Sequence, residues 1–247
     1  MVTEIIAHRG ASCAAPENTF PAFDLAYKMG AEGIETDVHM TKDGVPILIH
    51  DATLDRTTNG KGYIKDYTWE QLKLFDAGYT YSINFVGTPI MSLEQLLKWI
   101  SNKNMRLNIE LKNNNMEYPN MEKTIYEMIN DYKMQERTIL STFNQESIVR
   151  LKKWTKNIEL ALLASKKQKG LVSLAKNIGA NALHIKFNLL NKSIVKECHK
   201  NQMSIRVFTV NKKSAMHKCY QLGCNGIFTD MPKKAKWVRM LFKSGMK

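Results

Sequence analysis

A chain of 247 residues, 44% of them hydrophobic, has the material for one large α/β barrel or two small domains. Its 36 Lys and Arg against 23 Asp and Glu give a formal net charge of +13, which favours anionic partners such as phosphate esters, nucleic acid or anionic membrane surfaces. No apolar run approaches the roughly 18 residues of a membrane span, and Cys13, Cys198, Cys219 and Cys224 lack the paired spacing of a zinc site.

The lysines are spread along the chain, so a solvated basic surface explains the charge equally well. The opening MVTEIIAHRG shows no basic n-region, apolar h-region or cleavage site, and a cytoplasmic protein with reduced thiols is expected. In chain order the β-rich runs are EIIAH, GIETDVHM, VPILIH, RLNIEL, RTILST, ELALLA, ALHIKF, SIRVFTV and NGIFTD. Between them lie amphipathic stretches such as NTFPAFDLAYKMG, SLEQLLKWISN, YPNMEKTIYEMINDY and NKSIVKECHKNQ. Such alternation is the signature of a parallel sheet built from βα units. Asn18, Ser92, Asn191 and Asn211 stand where helix N-caps are expected, and Gly30 and Gly223 where helices stop.

Nine runs are one too many for an eight-stranded barrel. Asp43-Gly44 between the second and third signals a tight hairpin, so VPILIH reads as an extra strand and the other eight close a TIM-type (β/α)8 barrel. A two-residue turn would pair Lys42 with Val45 and set His50 directly opposite Asp37. Residues 1–247 are thus expected to form a single barrel domain, with residues 45–90 supplying the hairpin strand and a small insertion or lid after the second strand.

Sites of such barrels lie at the C-terminal ends of the strands. Those ends carry His8 and Arg9, then Glu35 and Asp37 with His50 on the partner strand, then Glu110 and Lys112. Three carboxylates form a hard oxygen site suited to one divalent ion, Ca2+ or Mg2+. Two histidines beside it suit general acid and base work, and Arg9 and Lys112 suit phosphoryl oxygens. Each residue alone has a structural reading, a satisfied strand-end histidine or a solvated acidic face; it is the convergence of seven that points to chemistry. His184 and Lys186 alternate onto one face of LHIKF near this end, where a structural role is the simpler reading.

The segment AHRGASCAAPENTFPAFDLAYKMGAEGIETDVHMTKDGVPILIHDATLDRTTNGKG, with LNIELK, STFN, FTVN and GIFTD further on, resembles the glycerophosphodiester phosphodiesterases. The ordered series HRG, PENT, E-x-D, HD and R-T-T-x-G-x-G carries that resemblance. It implies metal-dependent hydrolysis of a small-molecule glycerophosphodiester to glycerol 3-phosphate and an alcohol, on a barrel with an insertion after the second strand. It also implies His8 and His50 as the catalytic pair, Glu35, Asp37 and Glu110 as metal ligands, and Arg9 and Lys112 as phosphate contacts. Glu17, Asn18 and Thr19 would support the first helix start, and Asp51, Arg56, Thr57 and Thr58 would shape the insertion. Two positions depart from the family pattern. Phe208 stands where many relatives carry Trp, which bears on the pocket wall facing the alcohol, and Asn225 stands where Asp is usual.

Two other readings stay open on the sequence. One is a phospholipase D-like hydrolase of lysophospholipids using the same site. The other is a non-catalytic binder of phosphate esters or nucleic acid, against which no basic run interleaved with aromatics is present, so no nucleic-acid partner is expected.

Overall fold

The computed structural model describes residues 2–245. Eight parallel strands, β1 (Glu4–His8), β2 (Gly33–Met40), β5 (Arg106–Leu111), β6 (Thr138–Thr142), β7 (Glu159–Ala164), β8 (Ala182–Lys186), β9 (Ser204–Phe208) and β10 (Gly226–Thr229), close into a barrel because β1 pairs with both β10 and β2. Between β2 and β5 in the chain lie β3 (Pro46–Leu48), antiparallel to β2, and β4 (Met91–Ser92), antiparallel to β3. The helices are α1 (Phe20–Lys28), α2 (Trp69–Leu72), α3 (Leu93–Ile100), α4 (Met121–Asp131), α5 (Gln145–Trp154), α6 (Leu171–Asn177), α7 (Lys192–Lys200), α8 (Lys213–Leu222) and α9 (Pro232–Lys243).

The expected strands form because they are short, β-branched and apolar, buried on one face by barrel contents and on the other by helices. In α3 the stripe Leu93, Leu96, Leu97 and Ile100 is fully buried at helical spacing. Ser92 starts that helix with a reciprocal cap: its hydroxyl accepts from Gln95 N at 3.2 Å while Gln95 Oε1 accepts from Ser92 N at 2.9 Å. Asn191 caps α7 by accepting from Ile194 N at 3.0 Å, and Asn144, not foreseen, caps α5.

Two expected caps are not caps. Thr19 and Lys212 occupy the N-cap positions of α1 and α8. The side chains of Asn18 and Asn211 turn to the carboxylates Asp37 and Asp230 instead. Gly30 and Gly223 do follow helix ends with positive φ.

The hairpin differs from its expected register by one residue. Lys42, Asp43 and Gly44 form a three-residue loop in which Thr41 N donates to Val45 O at 3.0 Å and Gly44 takes φ +80°. Val38 then faces Leu48, and Ile49 rather than His50 bonds to the Asp37 backbone. The reason is local: the Thr41 hydroxyl bonds Asp43 Oδ1 at 2.5 Å and accepts from Val45 N at 2.9 Å, which favours the wider loop. His50 reaches the site from just beyond β3.

Residues 33–35 of β2 pair with β1, and residues 38–40 pair with β3. The hairpin therefore leads the chain outward at the level of the carboxylates. The following segment packs on a small core of its own, Ile47, Ile49, Leu54, Ile64, Leu72 and Ile90.

Because Gly44 sits in the left-handed region with open space around its α-carbon, Gly44→Ala is expected to cost about 1–2 kcal/mol through backbone strain alone, and Gly44→Asn much less. Urea denaturation of the two variants measures both.

Candidate active site

Glu35 and Asp37 are two residues apart on β2, so both point into the barrel, and the β2–β5 register sets Asp37 beside Glu110. Carboxylate oxygens of Glu35, Asp37 and Glu110 all lie within 4.8 Å of one another. Glu35 and Asp37 are 4% and 1% exposed. At such spacing each ionised pair repels by about 3 kcal/mol at an effective dielectric near 20.

The chain answers this crowding with two cations. Lys112 Nζ lies 2.8 Å from Glu110 Oε1 and 3.4 Å from Asp37 Oδ1, and Arg9 Nε lies 3.2 Å from Asp37 Oδ2. The backbone N–H of Arg9, which has φ +56°, donates to Glu35 Oε2 at 2.9 Å. Asn18 Nδ2 donates to Asp37 Oδ2 at 3.0 Å. Burial opposes ionisation of Asp37, but Lys112, Arg9 and His50 hold its carboxyl well below the usual range. Glu35 fares differently: burial first and then the Asp37 charge push it up to about 8. Glu110 is raised by the same two causes. Without a cation the three acids do not ionise together, and this hard-oxygen set fits a divalent ion.

The two histidines reach the cluster from different segments, His8 from the end of β1 and His50 from just beyond β3. His8 is close enough to Glu35, and His50 to Asp37 and Glu110, for their charges to act on each other. His8 Nδ1 lies 2.7 Å from Asp230 Oδ1, and His50 Nδ1 lies 2.6 Å from Asp51 Oδ1. A carboxylate thus orients each ring through Nδ1 and leaves Nε2 for other work. Burial lowers the His8 pKa, but the hydrogen bond from Asp230 and the charge of Glu35 outweigh it and leave the imidazole raised.

From His50 an ionic chain returns to the carboxylates. Arg56 Nε bonds Asp51 Oδ2 at 2.6 Å, its two terminal nitrogens bond Glu17 at 2.8 and 2.9 Å, and Glu17 accepts from Arg9 at 2.9 Å. Behind it, His39 bridges the Tyr118 hydroxyl (2.8 Å) and the backbone carbonyl of His50 (3.1 Å). Burial drives the His39 pKa down to about 4, so it is neutral and donates through Nε2.

All seven strand-end residues expected from the sequence therefore meet at one place. Phe208 and His184 line a small pocket that also takes in His8, Glu35, Asn108 and Glu110. His184 is fully buried with Nδ1 unpartnered, and burial and Arg206 hold its pKa low. Lys186 is exposed at the end of β8 and is not part of that lining. Asn225 ties strands together, accepting from Ile205 N at 2.8 Å. The partners that sequence reasoning missed are Asp230, Asn211, His39 and Tyr118. The GIFTD motif contained Asp230, but 222 residues separate it from His8.

A family model described as the glycerophosphoryl diester phosphodiesterase family matches residues 8–234. Glycerophosphodiester phosphodiesterase of Caldanaerobacter subterraneus subsp. tengcongensis is 40% identical over 236 residues, covering 94% of this chain and 96% of the relative. The enzyme of the same description from Bacillus altitudinis is 39% identical over 241 residues, with 96% and 98% covered. Among solved structures, an Oleispira antarctica phosphodiesterase in complex with the product sn-glycerol-3-phosphate superposes with a TM-score of 0.90 at 28% identity, covering 96% of each chain. The family model spans every residue of the cluster, and the relatives cover nearly the whole chain: the chain belongs to the glycerophosphoryl diester phosphodiesterase family.

Proposed function

We propose that this phosphoric diester hydrolase cleaves glycerophosphodiesters to glycerol 3-phosphate and an alcohol with His8 and His50 as its acid/base pair. The observation that carries the reading is the presence of two carboxylate-oriented imidazoles beside a three-carboxylate cluster. Glu35, Asp37 and Glu110 would hold one divalent ion, Ca2+ or Mg2+. Bound there, the ion would supply Lewis-acid polarisation of a phosphoryl oxygen.

Charge counting supports the ion. With the ion bound the three acids can ionise together, and their three negative charges against Arg9, Lys112 and the two charges of the ion leave one net positive charge, which attracts a phosphodiester. Arg9 and Lys112 then offer N–H donors to the phosphoryl oxygens as charge builds on them.

One imidazole takes a proton at Nε2 from the attacking oxygen, either water or the glycerol 2-hydroxyl; on the second route a cyclic phosphate forms first and a water then opens it to glycerol 3-phosphate by the same acid/base pair. A phosphorus–oxygen bond forms as the bond to the alcohol breaks, and the other imidazole gives its Nε2 proton to the departing alkoxide. Asp230 and Asp51 each stabilise the imidazolium form of their histidine, in one case the product of the proton uptake and in the other the starting acid. His50 also faces an open groove lined by Tyr63, Met116 and Phe143, which gives a bulkier leaving group such as a lysophospholipid's access to the same phosphorus chemistry.

Glycerol 3-phosphate release from glycerophosphocholine is expected to stop with EDTA and return with Ca2+ or Mg2+. His8→Ala and His50→Ala should each lower kcat by about 10²–10⁴-fold, and Glu35→Gln should abolish recovery with metal. Release that is indifferent to EDTA or to either histidine contradicts the reading. A parallel assay with lysophosphatidylcholine tests the bulkier substrate.

Proton linkage gives a second expectation. Glu35 has a raised pKa, so the folded, metal-free protein holds a proton from pH 4.5 up to about 8 that the unfolded chain has released. Stability from this group is full below pH 4.5 and is lost as pH rises through about 8. The raised His8 and Glu110 act with the same sign. Denaturation in EDTA across this range should show the decline, Glu35→Gln should flatten it, and Ca2+ should stabilise most at the alkaline end.

A further inference from the structure

We propose that the chain docks on anionic lipid bilayers through the barrel face that carries the site, with the loop of residues 76–89 as its apolar tip. That loop is closed at its base by the Asp76–Pro89 bridge. The Asp76 carboxylate accepts from the backbone N–H groups of Gly78, Tyr79 and Gly87 at 2.7–3.0 Å, and turns run through Tyr81, Phe85, Val86 and Thr88. Its interior is backbone: a Cβ at Gly78 would stand 1.9 Å from Phe85 O. Asp76 and Thr88 turn inward, and several apolar side chains are left pointing outward. Ile83 is 82% exposed, nearby Leu74 is 79% exposed, and Tyr79, Tyr81 and Val86 are exposed as well. The core of this segment is filled by other residues, so Ile83, Leu74, Tyr79 and Val86 are outside it, while Tyr81 packs edge-on against Phe85 at 5.4 Å. Two almost fully exposed aliphatic side chains on one small ordered surface ask for an apolar contact.

The neighbouring surface supplies the charge. Four segments follow the C-terminal ends of β7 to β10: SKKQKG (165–170), KFNLLNK (186–192), NKK (211–213) and DMPKK (230–234). Together they hold nine lysines, all exposed, and one acid, Asp230, which is bound to His8. The tip approaches the part of this rim that follows β9 and β10. Tyr81 lies near Cys13, whose N–H donates to Asp230 O at 3.2 Å and which shares a cleft wall with His8, Asn211 and Met231, where Lys234 Nζ donates to Asn211 O.

Aliphatic tip residues with tyrosines, set beside clustered lysines, match a bilayer interface with anionic head groups. A nucleic-acid surface would instead call for arginine forks and stacking faces. The four segments contain no arginine, and Leu74 and Ile83 have nothing to gain from a phosphate backbone. Docked so, the protein would hold the mouth of its site against the lipid surface.

The test is co-sedimentation of the full chain with vesicles of pure phosphatidylglycerol or pure phosphatidylcholine, at low and high salt, without turnover. Partition onto phosphatidylglycerol alone, weakened by salt, is expected. Ile83→Asp with Leu74→Asp should weaken it roughly tenfold or more. Lys166→Gln, Lys167→Gln and Lys169→Gln should each weaken it about fivefold. All five positions are exposed and lie outside the catalytic cluster, so melting and hydrolysis of a soluble diester should be unchanged. Absence of partition, or partition indifferent to the tip substitutions, overturns the proposal. Equally tight, tip-independent binding of a single-stranded oligonucleotide overturns it in favour of a polyanion surface.

Discussion

Like-charge crowding at the mouth of the barrel is the constraint around which this molecule is arranged. Glu35, Asp37 and Glu110 stand within 4.8 Å of one another in a largely buried place. Such a cluster persists only when cations and hydrogen bonds are held against it. Adjacent register of β2 and β5 creates the crowding, and Arg9, Lys112 and Asn18 partly relieve it. The remaining imbalance keeps Glu35 raised to about 8 and makes the place receptive to a divalent ion.

The same constraint explains why the insertion belongs to the site. His50 lies at its start, and Arg56 within it joins Asp51 to Glu17, which joins Arg9, which meets Asp37. The His50 imidazole is thereby linked to the Arg9 cation through alternating charges. The arginine is half exposed, so its value lies in geometry more than in stability. Fixing the His50 main chain falls to His39 and Tyr118, which anchor its carbonyl from behind.

Much of this was legible in the sequence for a simple reason. Strands of a parallel barrel are short, continuous apolar runs, so a charged residue among Ile and Val at a strand end stands out. Glu35, Asp37, Glu110 and His8 were visible on that ground alone. The hairpin was visible too, but its register depended on whether the turn used two residues or three, and the Thr41 hydroxyl decided that through contacts no pattern displays. β4, two residues long, falls below any periodicity. Asn18 and Asn211 looked like helix caps because cap chemistry and carboxylate-binding chemistry use the same side chain. Asp230 was hidden by distance, since barrel closure brings the last strand beside the first.

The most direct test of the central claim is a crystal structure of the protein soaked with Mn2+, read from anomalous scattering, in the wild type and in Glu110→Gln. The charge argument predicts one strong peak bonded to carboxylate oxygens of Glu35, Asp37 and Glu110, lost or much weakened in the variant. A peak elsewhere with this cluster empty, or a peak unaffected by Glu110→Gln, would contradict it.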